Sequence, residues 1–274
     1  MNIDEKYQRL QQFISGLGKA AVAFSGGVDS SFLSKVAHDV LGDQSMAITV
    51  VSPMLPKSEL DGAKELAADV GITHVLVEDN DIEEEVAENP VNRCYYCKKV
   101  EFSTIQRTAA AHSIKYVLDG SNLDDMSDYR PGLHALEELA IASPLREVGL
   151  TKDEIRELSR RLGLKTWDKP AYACLASRIP YGERITENKL SKVEKAEDYL
   201  RETGFRQFRV RSHGDIARIE VAADEREKLF STATMDEISL RLKSIGFLYV
   251  CVELEGYRMG NLNRALKASK GDVA

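Results

Sequence analysis

The sequence predicts an α/β protein in two parts: a larger domain built on a parallel sheet with helices on both faces, and a small C-terminal α/β domain. Three observations carry this expectation. From about residue 19 to residue 118, apolar runs of strand length alternate with helical patterns, the rhythm of a parallel sheet with crossover helices. The segment WDKPAYACLASRIPYGE then breaks the rhythm with two prolines and little periodicity. Beyond it, helix, strand, turn, strand, helix and strand follow one another closely. The expected division is residues 1–170, a linker at 171–185 and a small domain at 186–274.

The elements follow in order. An amphipathic helix is expected near residues 7–17. KAAVAFSGGVDSSFLSKVAHDVLG reads as strand, glycine-containing turn and helix, with Phe32, Leu33, Val36 and Val40 on one side. AITVVSP is a strand, KSELDGAKELAADVG a helix and THVLVE a strand. A helix over about 96–112 leads to the strand KYVLDGSN. Thr151 and Glu154 form a capping box opening a helix that runs to about 162. In the small domain a helix is expected over 187–203, strands over 207–211 and 215–221 about a turn at His213-Gly214, a helix over 224–245 and a strand over 247–253. The tail KASKGDVA carries no pattern and reads as mobile.

With 274 residues, 43% hydrophobic and 30% charged, the chain has ample apolar sequence for a core and is too apolar for intrinsic disorder. The net charge of −7 provides no global field for nucleic acid, whose binding rests on Lys and Arg at phosphates. The deficit is uneven: from residue 186 onward sixteen Lys/Arg face fifteen Asp/Glu. No stretch approaches the ~20 apolar residues of a membrane span, and the polar, acidic opening MNIDEKYQRLQQF is unlike a signal peptide. A cytoplasmic protein with no membrane partner is expected. Four cysteines are too few for a disulfide scaffold, so in a reducing compartment they are buried residues, metal ligands or reactive thiols.

Ser25-Gly26-Gly27-Val28-Asp29-Ser30-Ser31 lies between an expected strand and helix, where glycines allow close backbone approach and a helix N-terminus favours an anion. It should hold phosphate. The Lys-Ser/Thr ending of a Walker A loop and the dinucleotide pattern G-x-G-x-x-G are both absent. SGGVDSS resembles the pyrophosphate loop of the ATP pyrophosphatases, which cleave ATP between its α and β phosphates to adenylate a substrate. The resemblance implies an adenine-nucleotide α-hydrolase-like first domain, with Ser25, Gly26, Gly27, Ser30 and Ser31 on pyrophosphate and Asp29 assisting the site or its Mg²⁺. It also implies that residues 50–52 contact adenine. Gly120 and Asn122 should reach the same crevice, outside the carboxyl ends of the strands.

Cys94 and Cys97 occur as C-Y-Y-C, and Cys174 lies alone in YACLASR. Cys251, inside FLYVCVEL, reads as a packed core thiol. A structural zinc site usually wants four Cys or His ligands; the spacing offers three, with His112 or His74 open as a fourth. Three thiolates suit a [4Fe–4S] cluster with one iron left for a substrate or sulfur atom, although four cysteines is the usual count. A zinc half-site or two unpartnered thiols stay open as alternatives.

NRCYYCKK, LDGSNLDDMSDYRPG, ACLASRIPYG, FRVRSHGDIARIE and LEGYRMGNLNRAL together resemble the larE-type ATP-dependent sulfur transferases of nickel-pincer cofactor synthesis, from the loop to the C-terminus. That resemblance implies adenylation of a carboxylate of pyridinium-3,5-biscarboxylic acid mononucleotide and its conversion to a thiocarboxylate. It implies that Cys94, Cys97 and Cys174 each bind one iron of a [4Fe–4S] cluster holding sulfide. Cys174 as a sacrificial sulfur donor, left as dehydroalanine, is the family's other route. Homo-oligomers are also implied, a hexamer being the size the resemblance suggests.

Arg209 and Arg211 are two residues apart on a strand and share one face. Two guanidiniums there suit a mononucleotide phosphate; from the residues alone, pairing with Glu220 or Asp215 is the alternative, and the family match favours phosphate. Arg178 and Arg258, in Gly/Pro-bounded loops, are secondary candidates for the same phosphate. By resemblance Glu197 binds a metal, a solvated helix face being the other reading. Asp124, Asp125 and Asp128 either bind Mg²⁺ or cap a loop. Three rivals remain: tRNA thiolation, against which the acidic chain argues; an amide-forming ATP pyrophosphatase with incidental cysteines; and a nucleotide- or metal-responsive binding protein without turnover.

Overall fold

The computed structural model describes residues 1–127, 131–170, 173–258 and 260–263. Asp128 of the expected acidic cluster and the tail KASKGDVA lie outside them. The chain divides into two compact units, Met1–Val86 with Val91–Tyr172, and Ala87–Pro90 with Ala173–Ala274.

The first unit contains α1 (Ile3–Leu17), β1 (Ala20–Ala23), α2 (Val28–Leu41), β2 (Ser45–Val51), α3 (Lys57–Val70) and β3 (Thr73–Glu78). The short α4 (Glu84–Ala87) ends at the boundary between the units; α5 (Arg93–Ala111), β4 (Tyr116–Leu118), α6 (Gly132–Glu138), α7 (Pro144–Glu147) and α8 (Lys152–Arg161) complete the first. The strands are all parallel, in the order β3-β2-β1-β4. Alternation along a strand sends successive side chains to opposite faces, and the packing follows it. Ala20, Val22 and Ala47 join Leu10, Ile14, Phe32, Leu33 and Val36 on one face; Ala21, Met46 and Ile48 join Phe102, Ile105 and Ala109 on the other. Helices therefore bury both faces, which is why these strands are apolar throughout rather than alternating.

The second unit has α9 (Glu187–Glu202), β5 (Phe208–His213), β6 (Ile216–Val221), α10 (Thr232–Ile245) and β7 (Tyr249–Val252). β5 and β6 form an antiparallel hairpin turned at Gly214, where φ is 58°; β7 lies parallel to β6 on its far side. Phe208, Val210, Ala217 and Ile219 pack with Ala196 and Leu200 of α9 and Ile238 and Leu242 of α10. The other face of the β5–β6 hairpin carries Arg209, Arg211, Arg218 and Glu220, where Arg209 pairs in register with Glu220 and Arg211 with Arg218.

Two expectations are corrected here. The single helix over 224–245 is broken: a 3₁₀ segment covers Ala223–Leu229, and α10 begins afresh behind Ser231, whose hydroxyl accepts from Thr234 N. Cys251 is exposed rather than packed. β7 is an edge strand, and its register places Cys251 opposite Arg218, on the charged face, while Val250 packs against the core.

Candidate active site

The chain steps outward from β1 to β2 and β3, then returns to the other side of β1 as β4. At such a reversal the connections leaving two neighbouring strands run apart and open a crevice beyond their carboxyl ends. The loop after β1 and the loop after β4 share that crevice. Gly26 has φ 68°, and a Cβ there would meet the Ala63 Cβ of α3 at 3.0 Å, so only glycine fits without strain. Gly27 opens α2 without a side-chain cap, leaving the first-turn N–H groups suited to an anion. The Ser25 and Ser30 hydroxyls are 3.1 Å apart. Ser31 is different: it is fully buried, and both its backbone N–H and its hydroxyl donate to the Gly27 carbonyl, at 3.0 and 2.5 Å. These bonds tie the first turn of α2 to the loop.

Gly120 follows β4 and touches this loop. A Cβ on it would lie 3.1 Å from Ser30 N and 3.3 Å from the Asp29 Cβ. Asn122 is buried next to Asp29 and helps to hold its carboxyl in the charged form. Asp29 also accepts from Lys152 Nζ at 2.6 Å, and the Lys152 backbone N–H donates to Asp124 at 2.7 Å. Burial is the largest influence on the Asp29 carboxyl and raises its pKa above the ordinary value, with Asp125 adding to the rise and the Lys152 ammonium opposing it. The Asp125 carboxylate accepts from Asn122 N, and the Asn122 side-chain oxygen in turn accepts from Asp124 N, so Asp125 ties down the loop as well as lying near Asp29. Residues 50 and 51 end β2 on the same edge of the sheet, with Ser52 just beyond.

Two lysines passed over by motif reading belong to this site. Lys152 occupies the first turn of α8, where acidic residues are favoured; a lysine out of place behind a capping box is the signal that would have found it. Lys169 donates to the Gly26 carbonyl at 3.0 Å and to Glu59 at 2.9 Å. Nothing in its local sequence marks it, because the contact joins residues far apart in the chain.

α5 starts before residue 96, so Cys94 and Cys97 lie a turn apart on its first turns, sharing a face. Cys94 is exposed and Cys97 half-buried. His112 caps the far end of the helix, about 27 Å away at 1.5 Å per residue. The His74 Nε2 lies 2.8 Å from Thr49 Oγ1, and its ring packs edge-on against Phe24. Neither histidine joins the cysteine pair as a fourth ligand. Cys174 belongs to the second unit, exposed, just before a 3₁₀ turn at Leu175–Arg178. Among the described residues no three His, Cys, Asp or Glu side chains are gathered closely enough to hold a metal ion.

In the second unit, Arg178 is fully buried and forms a two-pronged ion pair with Glu197, both contacts at 2.8 Å. Arg211 does the same with Glu220, at 3.1 and 3.0 Å. Glu220 also accepts from Arg218 and Asn261, and Glu197 from Val210 N. Arg209 is buried over the Tyr257 ring and donates to the Phe208 carbonyl. Arg258 is exposed, with Glu255 at 3.6 Å.

The asparagine synthase family pattern matches residues 15–121, the stretch from the end of α1 through the loop to Gly120. An uncharacterized protein of Synechocystis is 46% identical over 265 residues, 96% of this chain and 99% of that protein. The pyridinium-3,5-bisthiocarboxylic acid mononucleotide synthase of Lactiplantibacillus plantarum is 38% identical over 255 residues, 92% of each chain. The chain belongs to that synthase's family. A more distant relative, a glutamine-hydrolyzing GMP synthase chain of Archaeoglobus fulgidus, is 28% identical over 163 residues, 54% of this chain and 52% of its own. The synthase family is one of enzymes on the pyrophosphate-loop fold, and both units of this chain fall inside the match.

In this synthase-family chain, three of the expected site residues are tied into ion pairs within the second unit. Arg178 and Arg211 have their guanidiniums closed on buried carboxylates rather than open to a phosphate; for Arg211 the partner is Glu220, the alternative the sequence had left open. Glu197 is not part of a solvated face: it is buried, and both its carboxylate oxygens accept from Arg178. Ion pairs this deep persist only when both members are also hydrogen-bonded elsewhere, and both pairs meet that condition.

Proposed function

We propose that this chain is an ATP-dependent sulfur transferase that adenylates a carboxylate of pyridinium-3,5-biscarboxylic acid mononucleotide and converts it to a thiocarboxylate. The observation that carries the reading is the complete Ser-Gly-Gly-Val-Asp-Ser-Ser loop at the switch point of the sheet, in a chain 38% identical over 92% of its length to a protein named for the bisthiocarboxylic product. A carboxylate is a poor electrophile until one oxygen becomes part of a good leaving group. The loop amides and the Ser25 and Ser30 hydroxyls bind the departing pyrophosphate as the substrate oxygen attacks the α-phosphorus. Asp29, aided by Asp125 or Asp124, takes Mg²⁺, Lys152 offsets the carboxylate charge, and residues 50–52 receive the adenine. A sulfur nucleophile then attacks the acyl carbon, and AMP leaves with the bridging oxygen. Arg258, the exposed arginine of the four candidates, receives the substrate phosphate.

The donor chemistry of Cys94, Cys97 and Cys174 fits a [4Fe–4S] cluster: three thiols outside any disulfide, two of them on adjacent helical turns. When bound there, the cluster supplies a place for inorganic sulfide on the iron that no cysteine holds. The exposure of Cys174 is also compatible with the fallback route, in which its own sulfur attacks the acyl adenylate and AMP departs. Loss of the Cα proton and cleavage of the Cβ–S bond then release the thiocarboxylate and leave dehydroalanine. We place the protein in the cytoplasm as a homo-oligomer, supported by exposed Phe230, Leu240, Leu248, Tyr249 and Leu254 in the second unit.

Two assays test the proposal. Incubation with ATP, Mg²⁺ and the biscarboxylic mononucleotide should release pyrophosphate and AMP, in a manner dependent on that carboxylate. No release with it, but release with ammonia and another acid, would move the chain to the amide-forming class. Anaerobic reconstitution should give about four irons and four sulfides per chain, and Cys174→Ala should lose them; absence of iron after reconstitution removes the cluster and leaves the sacrificial route.

A further inference from the structure

Residues 173–183 have little regular structure beyond one 3₁₀ turn, yet their main chain is held by buried side chains: Arg178 of the segment itself, anchored on α9, and Arg211 and Asn89 from elsewhere in the second unit. Arg178 Nη1 donates to the Ala173 carbonyl at 2.6 Å, to the Cys174 carbonyl at 3.1 Å and to Ser177 Oγ at 2.9 Å, while its other nitrogens are fixed on Glu197 of α9. Arg211 Nη1 donates to the Ser177 carbonyl at 2.8 Å while the rest of its guanidinium is fixed on Glu220 of β6. Asn89, fully buried with φ 54°, donates to the Pro180 and Glu183 carbonyls at 2.7 and 3.0 Å. The Cys174 carbonyl also takes Ser177 N and Ser177 Oγ. Inside this frame the Cys174 side chain is exposed.

The arrangement is asymmetric in a telling way. A buried carboxylate orients each guanidinium, and the remaining donor of each is spent on carbonyls of one turn. A surface loop needing only to be covered does not require two buried ion pairs, each costly to desolvate.

We propose that Arg178 with Glu197, and Arg211 with Glu220, are positioning residues that clamp the Cys174 turn and fix where its sulfur is presented. The inference rests on the sulfur-transfer reading in that it gives Cys174 a task, and it holds whether that sulfur ligates iron or is itself transferred. Guanidinium geometry is essential to it: lysine retains the charge but, with one nitrogen, cannot span a carboxylate and a row of carbonyls together.

Arg178→Lys and Arg211→Lys are the variants of choice, because each retains a charge for its glutamate and so the best chance of folding. Leu242→Ala, a core change in the same unit away from the turn, controls for lost stability. Amide hydrogen exchange of the metal-free protein is read by peptide for residues 173–182. The Lys variants should exchange there roughly tenfold faster or more, with α10 unchanged, whereas Leu242→Ala should do the reverse. In turnover with the biscarboxylic mononucleotide, kcat should fall by about a hundredfold, the scale of an ångström-sized misplacement, while KM for ATP stays within about twofold. Unchanged exchange over 173–182 in both Lys variants, or an equal kcat loss in Leu242→Ala at matched stability, overturns the clamp. Full sulfur transfer by Cys174→Ala, with the Lys variants still loosening the turn, would instead overturn the role given to Cys174 and leave the clamp standing.

Discussion

Gly26 and Asp29 show how single positions divide between fold and chemistry. Any side chain at Gly26 must adopt a left-handed backbone and press on Ala63. Gly26→Ala should cost about 1–3 kcal/mol in urea unfolding and cut pyrophosphate release roughly tenfold; wild-type behaviour in both would mean the loop is not fixed as described. Asp29 behaves oppositely. Its pKa is raised chiefly by burial, so the folded state binds a proton more readily than the unfolded chain. The stability this group contributes is full below its unfolded pKa and is lost as pH rises through the higher folded value. In metal-free buffer Asp29→Asn should therefore be as stable as wild type or more so at pH 7, the gap in Tm closing as the pH falls through the folded pKa, while adenylation is lost. A gap that widened on acidification would contradict the assignment. At this scale the loop was legible in the sequence because its glycines and serines are contiguous. Lys169 and the Arg178–Glu197 pair were not, because each joins residues far apart in the chain.

At the scale of elements, α8 connects local sequence to the site. Thr151 and Glu154 cap it reciprocally, as their spacing predicts, and the Lys6 ammonium lies 2.7 Å from Glu154. The first turn so fixed carries Lys152 to Asp29. Thr151→Ala should cost about 1 kcal/mol of stability and raise the KM for ATP more than it lowers kcat; a stability loss with KM unchanged would separate α8 from the site. Capping and period made α3, α8, α9 and the strands of the first sheet readable. α6, α7 and the 3₁₀ turn after Cys174 span seven, four and four residues, too short to show a helical period. The early start of α5 was hidden because Asn92 makes no side-chain cap bond. β7 misled because an apolar strand at a sheet edge has the composition of a buried one.

For the whole molecule, the two-part α/β organisation follows from the change of rhythm near residue 170, and the parallel sheet from apolar strands separated by helices. What sequence patterning did not reveal is that Ala87–Pro90 joins the second unit, where Asn89 supports the segment after Cys174. That link depends on hydrogen bonds across some ninety residues and leaves no periodic trace. Cysteines from both units enter the proposed chemistry, so Cys94→Ala and Cys174→Ala should each abolish sulfur transfer while leaving pyrophosphate release within about threefold, since adenylation precedes the step in which the cysteines act. The central claim is that ATP is spent to place sulfur on a carboxylate. Its most direct test is mass spectrometry of substrate and protein after turnover with ATP, Mg²⁺, the biscarboxylic mononucleotide and heavy-isotope sulfide. The predicted result is a thiocarboxylate carrying the heavy sulfur, with Cys174 intact. Light sulfur in the product with dehydroalanine at position 174 would select the sacrificial route, and AMP formed with no sulfur in any product would contradict sulfur transfer itself.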